Sequence, residues 1–188
     1  MIIGLTGRIA AGKEVVVNFF EELGFNHLTF SDAIRSEAKR RWINIDRKSL
    51  QDLGNLVRNQ EGSGTWAIRL LKMMNNEDDY ILDGIRNPGE IEELKKQKKH
   101  KFILLSIDAP QKERFERLIK RKKPSDPKTW DDFLDIDKRD LGEEDEQGQQ
   151  VGKCMQLADY KIMNDSSFEE FLEKVDKFWN EIKKENVI

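Results

Sequence analysis

The stretch MIIGLTGRIAAGKEVVVNFFEELG, residues 1–24, decides the fold. Its first seven residues are an apolar run closed by glycine, which reads as a buried strand entering a tight turn. Val16, Phe19, Phe20 and Leu23 then recur at helical spacing, with Gly24 where a helix C-cap belongs. Between strand and helix stands Gly7-Arg8-Ile9-Ala10-Ala11-Gly12-Lys13, a G-x-x-x-x-G-K loop. In that setting the glycines let the backbone wrap a phosphate chain, and amide groups and the helix N-terminus supply positive potential. Residues 7–15 are therefore the candidate ATP-binding segment, with Lys13 placed to neutralise β- and γ-phosphates. The position after the lysine normally holds Ser or Thr, whose hydroxyl meets Mg²⁺. Here it is Glu14, followed by Val15. Glu14 is either a hard oxygen ligand for Mg²⁺ or an acid favoured in a helix's first turn.

Working outward, short apolar runs alternate with helical patterns. FNHLTF, DYILDG, KFILLSID and DYKIMN read as four further strands. SDAIRSEAKRRW reads as a helix with Ser31 at its N-cap. DRKSLQDLGNLVRN and TWAIRLLKMM follow as helices, with Leu50, Leu53, Leu56 and Val57 marking the face of the former. PGEIEELKKQ starts a helix at Pro88. QKERFERLIKRK is a further helix, and SFEEFLEKVDKFWNEIKK a long last one with Phe168, Leu172, Val175, Phe178 and Ile182 on one face. The alternation predicts an α/β fold with a five-stranded parallel sheet between helical layers. Two polar stretches interrupt it. Residues 31–75 read as a helical insert, and 122–153 as an irregular segment with one short helix near WDDFLDI. The core is then 1–30, 76–121 and 154–188, all within one domain.

Composition narrows the classes. A chain of 188 residues suits one domain that buries roughly 70% of its unfolded surface. No apolar run approaches the ~18 residues that span a bilayer, and Met1 runs straight into IIGLTG without a basic leader. A lone Cys154 forms no internal disulfide, which suits a reducing cytoplasm. The 33 basic and 36 acidic side chains nearly cancel, which argues against bulk binding of nucleic acid. The Lys-rich stretch 95–101 reads as the solvated end of a helix. His27 and His100 stand apart from every motif, and one cysteine makes no zinc pattern. Charge is nonetheless segregated: residues 112–130 carry eight basic and three acidic side chains, residues 131–146 two basic and nine acidic.

Four further motifs carry a resemblance. SDAIR at 31–35, LDGIR at 82–86, ERLIKR at 116–121 and DPKTWDDFLDIDKRDL beyond them resemble features of the nucleoside monophosphate kinases, the adenylate kinase group of P-loop kinases. DGIRNPGEIEEL, SDPKTWDDF and LADYKIMNDSSFEEF are similar to a narrower archaeal and bacterial group labelled dephospho-CoA-kinase-like or nucleotide-kinase-like. The resemblance implies a P-loop NTPase fold with an acceptor-binding insert at 31–75 and a lid at 122–153. It implies Mg²⁺ as cofactor and ATP as donor. Asp32 and Arg35 stand one turn apart and would meet the acceptor together with Asp83 and Arg86. Asp83 at a strand's C-terminal end lies where ligands bind in open α/β sheets, and it joins Glu14 as a metal candidate. Arg117 would stack on adenine, and Arg121 would touch phosphate. Arg139, with Lys138 beside it, would come down from the lid, so Lys13, Arg86, Arg121 and Arg139 form the catalytic set. Arg58 and Arg69 either add to the acceptor pocket or, the favoured reading, belong to solvated helix faces; Arg114 reads as a surface residue, and Asn164 as a loop position without a side-chain role. Asp165 or Ser166 caps the last helix.

The implied reaction is γ-phosphoryl transfer from ATP to a small phosphorylated acceptor, first a (deoxy)nucleoside monophosphate, in a monomer or homodimer. Dephospho-CoA is the alternative acceptor, whose hydroxyl would need a base such as Asp32. Phosphomevalonate is a third. A nucleotide-binding regulatory ATPase without an acceptor is the competing class.

Overall fold

The computed structural model describes residues 1–124, 126–142 and 148–185. The loop at 7–13 joins β1 (Ile2–Gly7) to α1 (Lys13–Glu22). The chain continues through β2 (Asn26–Thr29), α2 (Phe30–Arg40), α3 (Arg47–Glu61), α4 (Thr65–Leu71), β3 (Tyr80–Asp83) and α5 (Pro88–Lys96). β4 (Phe102–Asp108), α6 (Gln111–Arg121), α7 (Trp130–Leu141), α8 (Val151–Gln156), β5 (Tyr160–Met163) and α9 (Phe168–Glu185) complete it. The five strands form one parallel sheet in the order β2-β3-β1-β4-β5.

Residue alternation along β1 builds the two faces. Ile3 and Leu5 pack with Val16, Phe20, Phe171, Val175 and Phe178 under α1 and α9. Ile2 points the other way, into a second core with Leu82, Leu104, Trp66, Ile91 and Cys154 under the insert helices, α5 and α8. Neighbouring strands meet in parallel register, Ile3 opposite Ile81 and Ile103, so buried branched residues stack across the sheet. A side chain at Gly7 would collide with the Ile107 carbonyl of β4, and its φ of 138° lies outside the usual range for L-residues.

Three helix assignments shift from the sequence reading. α2 starts at Phe30 and is capped by Thr29, whose hydroxyl accepts from the Asp32 amide, so Ser31 is inside the helix. The last helix is capped by Ser167, which accepts from the Glu170 amide; Asp165 pairs with Lys174 instead. Its core face is Phe171, Val175, Phe178 and Ile182, and Phe168 at the first turn is exposed. Residues 122–153 hold more order than the expected irregular segment. α7 runs twelve residues from a Thr129 cap, and it buries Phe133 and Asp137. α8 buries Val151 and Cys154 against the sheet. The acidic run at 143–146 lies outside the described residues.

Candidate functional site: a phosphate loop between two cavities

The loop at 7–13 is shaped by local backbone conformation. Gly7, Ala10 and Gly12 all have positive φ, the kind of backbone conformation from which anion-binding nests are built. Gly12 is held by contact: a side chain there would strike the Asn164 amide. Asn164 Nδ2 donates to the Ala11 carbonyl at 2.9 Å, so a buried residue after β5 braces the loop from behind. The sequence reading gave Asn164 no side-chain role, because its partner is far away in the chain.

Lys13 bends back over the loop. Its ammonium donates to the carbonyls of Gly7 at 2.9 Å and Arg8 at 3.0 Å. Burial pushes its pKa down, the charge of Asp83 pulls it back up, and Arg86 lowers it again. Lys13, Asp83 and Arg86 therefore share one electrostatic site. A cavity of about 660 Å³ is lined by the loop from Ala10 to Val15 together with Asp83, Arg117 and Arg121. Asp83 Oδ1 is buried there without a hydrogen-bond partner. His27 also lines this cavity, although no motif pointed to it. Its strand, β2, pairs with β3, and the register sets His27 opposite Ile81.

A second cavity of about 510 Å³ lies under the insert. Phe30, Ile34 and Leu50 supply apolar wall, and Arg35, Arg58 and Arg86 supply guanidinium groups. The turn after β3 joins the two cavities: Asp83 lines the first, and Gly84 and Arg86 the second. Glu90 fixes this turn. It is fully buried, accepts from the backbone amides of Arg86 at 2.9 Å and Asn87 at 3.1 Å, and holds Arg58 at 2.8 Å. Arg58 is thus a buried, paired residue and not part of a solvated face. Arg69 pairs with Glu37 at 3.0 Å and Glu61 at 2.8 Å. The three arginines Arg40, Arg41 and Arg69 around buried Glu37 hold its carboxyl at about 2.

The other expected residues take varied places. Glu14 is exposed and lines the first cavity. Arg117 donates to the carbonyls of Ala11 at 3.3 Å and Asn164 at 3.2 Å, so it edges the loop. Arg121 lines the same cavity but is held by Asp126 through two bonds of 2.5 and 2.7 Å. Asp32 pairs with Arg35 at 3.1 Å, yet it lines a separate cavity of about 310 Å³ beside His27 and Arg69. Arg139 points to Asp52 of α3 at 3.7 Å. Its neighbour Asp140 faces the site, 3.8 Å from Arg86. Arg8 gives its backbone to the loop and turns its guanidinium to Asp137 at 3.3 Å. Arg114, expected at the surface, is fully buried, clasps Asp137 at 2.6 and 2.8 Å and donates to the Ile9 carbonyl.

The donor set suits Mg²⁺. That ion keeps most of its waters and takes one or two carboxylates plus phosphate oxygens. Glu14 and Asp83 are two such oxygens on the phosphate cavity, and Asp83 has a buried oxygen to spare. Among the described residues no group of three or more His, Cys, Asp or Glu forms a closed metal cage.

Comparison with known proteins agrees with this architecture. The family described as an AAA domain matches residues 6–133. A UPF0200 protein from Pyrococcus horikoshii is 36% identical over 187 residues, covering 97% of each chain. Shikimate kinase from Acinetobacter baumannii in complex with shikimate superposes with a TM-score of 0.59 at 16% identity, covering 100% of this chain and 95% of that one. Dephospho-CoA kinase from Campylobacter jejuni does so with a TM-score of 0.57 at 14% identity, covering 99% and 98%. The chain has the α/β fold of P-loop kinases.

Proposed function

The chain belongs to the UPF0200 family and carries the AAA domain, and on that premise we propose that it transfers the γ-phosphate of ATP to a small phosphorylated acceptor, a (deoxy)nucleoside monophosphate. One observation carries the reading. The turn Asp83-Gly84-Ile85-Arg86 spans both cavities, with the half-buried Lys13 in the same electrostatic site. A donor phosphate chain on the loop and an acceptor phosphate at Arg86 would meet there.

The steps follow from charge and position. The amides of residues 7–13 wrap the donor phosphates, and Lys13 leaves its two carbonyl partners to meet the β- and γ-oxygens. Glu14 and Asp83 would hold Mg²⁺ directly or through water, which neutralises charge on those phosphates. Arg86 orients the acceptor's anionic head, and Arg58 and Arg35 line the same cavity. Arg121 exchanges Asp126 for a phosphate oxygen. An acceptor phosphate is already ionised at neutral pH, so the transfer needs positioning and charge neutralisation, not a base.

The unpartnered oxygen of Asp83 favours a second reading, an alcohol acceptor from which Asp83 takes the proton. Asp32, the base expected from sequence, lines a different cavity. Steady-state kinetics with ATP and a nucleoside monophosphate separates the roles. Lys13→Ala should lower kcat by about a hundredfold or more. Arg86→Ala should raise the acceptor KM by roughly 10–100-fold, the worth of a charged hydrogen bond, and leave ATP binding near its original value. An acceptor KM untouched by Arg86→Ala would sink this assignment of the second cavity.

A further inference from the structure

A further cavity, of about 590 Å³, lies where α8 and the end of α7 cover β4 and β5. It shares no lining residue with the phosphate cavity or the acceptor cavity. Its charged walls are uneven: Arg8, Lys153 and Lys161 face it, with Asp108 as the one carboxylate. Among the described residues neither lysine has a carboxylate partner. Arg8 is held by Asp137 at 3.3 Å, and its buried Nε lies 3.7 Å from Asp108 Oδ2, close enough for an ion pair but too far for a hydrogen bond. An incoming oxygen would give that Nε the hydrogen bond it lacks. Met155 and Ile162 give the same cavity an apolar wall.

We propose that this cavity binds a small phosphomonoester, with its dianionic head on Arg8, Lys153 and Lys161 and its apolar or planar body against Met155 and Ile162. Asp108 offsets Arg8, and Asp137 is shared between Arg8 and Arg114, which leaves the two lysine charges as the complement of a phosphomonoester dianion. The volume lies within the range of small-ligand pockets, about 300–1,000 Å³. The site is linked to the phosphate loop through one residue. The Arg8 guanidinium reaches this cavity, and the Arg8 carbonyl holds the Lys13 ammonium. Occupancy here therefore alters nucleotide affinity at the loop, and nucleotide alters affinity here by the same factor.

The test is an NMR titration of the full-length ¹⁵N-labelled protein with its loop filled by ADP, using phenyl phosphate as probe. The Arg8 Nε–H signal, assigned by its loss in Arg8→Lys, should shift saturably together with the amides of Gly152 and Ile162. Inorganic phosphate, which lacks the body, should bind about tenfold more weakly or worse. Lys153→Glu/Lys161→Glu changes two exposed side chains. It should weaken phenyl phosphate by about tenfold or more, with thermal unfolding verifying an intact fold. Saturating phenyl phosphate should change the ADP Kd by about threefold or more, and an unchanged Kd would overturn the linkage. No saturable shift at Arg8, or shifts that survive the double charge reversal, would overturn the site. Neither result bears on phosphoryl transfer, because the signals are local to this cavity.

Discussion

On the proposed function, Lys13 would set the pH behaviour of nucleotide binding. Burial holds its pKa below the ordinary lysine value of 10.5. Bound phosphates favour the ammonium and raise that pKa again. Above the depressed pKa, ADP binding must therefore take up a proton, and affinity must fall as pH rises through it, earlier than for an exposed lysine. Calorimetry in buffers of different ionisation enthalpy checks this: uptake should grow with pH, and Lys13→Arg should abolish it. Glu37 gives a stability counterpart at low pH. Its carboxyl lies at about 2 against an ordinary 4.5. The folded pKa is the lower one, so this stabilisation is complete above about 4.5 and is lost as pH falls toward 2. Glu37→Gln should destabilise the protein at pH 7 and flatten its acid unfolding profile across that window. At this scale the sequence shows Lys13, Asp83 and Arg86 through motif spacing. It does not show Glu90, Asn164 or Asp140, whose partners Arg58, Ala11 and Arg86 are 32, 153 and 54 positions away.

α7 is locked onto the phosphate loop by Asp137, which meets both Arg114 and Arg8. Burial alone would raise the Asp137 carboxyl, but hydrogen bonds from Arg114 outweigh it and hold it below the ordinary value. Breaking one side of a buried pair leaves an uncompensated charge, so Asp137→Ala should cost about 3–5 kcal/mol by urea unfolding. α2 ends differently. The Ile43 amide donates to the Ala38 carbonyl at 2.9 Å and the Trp42 amide to Lys39 at 3.2 Å, which is a Schellman closure. Its left-handed position, φ 57°, is filled by Trp42, 95% exposed, where glycine is preferred. Trp42→Gly removes that strain and no packing, so it should stabilise by about 1 kcal/mol, a rise of roughly 2–4 °C in Tm. Periodicity made α1, α3 and α9 legible in the sequence. The length and burial of α7 were hidden, because its charged residues look solvated until Arg114 is known to face Asp137.

Across the whole molecule, the parallel sheet places one cavity on each side of the loop and another under the insert. The alternation of short apolar strands with helices was enough to foresee the five-stranded sheet, since the central strands β1, β3 and β4 bury both faces and each parallel crossover needs a helix. The cavities were less legible, because each collects residues from distant segments: Asp83 with Lys13, Arg86 with Ile34, Arg8 with Lys161. The near balance of charge over the chain conceals this grouping of cations around the loop. On the proposed function, the phosphate and acceptor cavities bring donor and acceptor phosphates together. The most direct measurement of this is ADP release from Mg·ATP, alone and with AMP, CMP, UMP, GMP, their deoxy forms, dTMP or dephospho-CoA. At least one nucleoside monophosphate should accelerate release by about a hundredfold or more, yield the diphosphate, and lose that effect in Lys13→Ala. Slow ATP hydrolysis that no acceptor accelerates would contradict it.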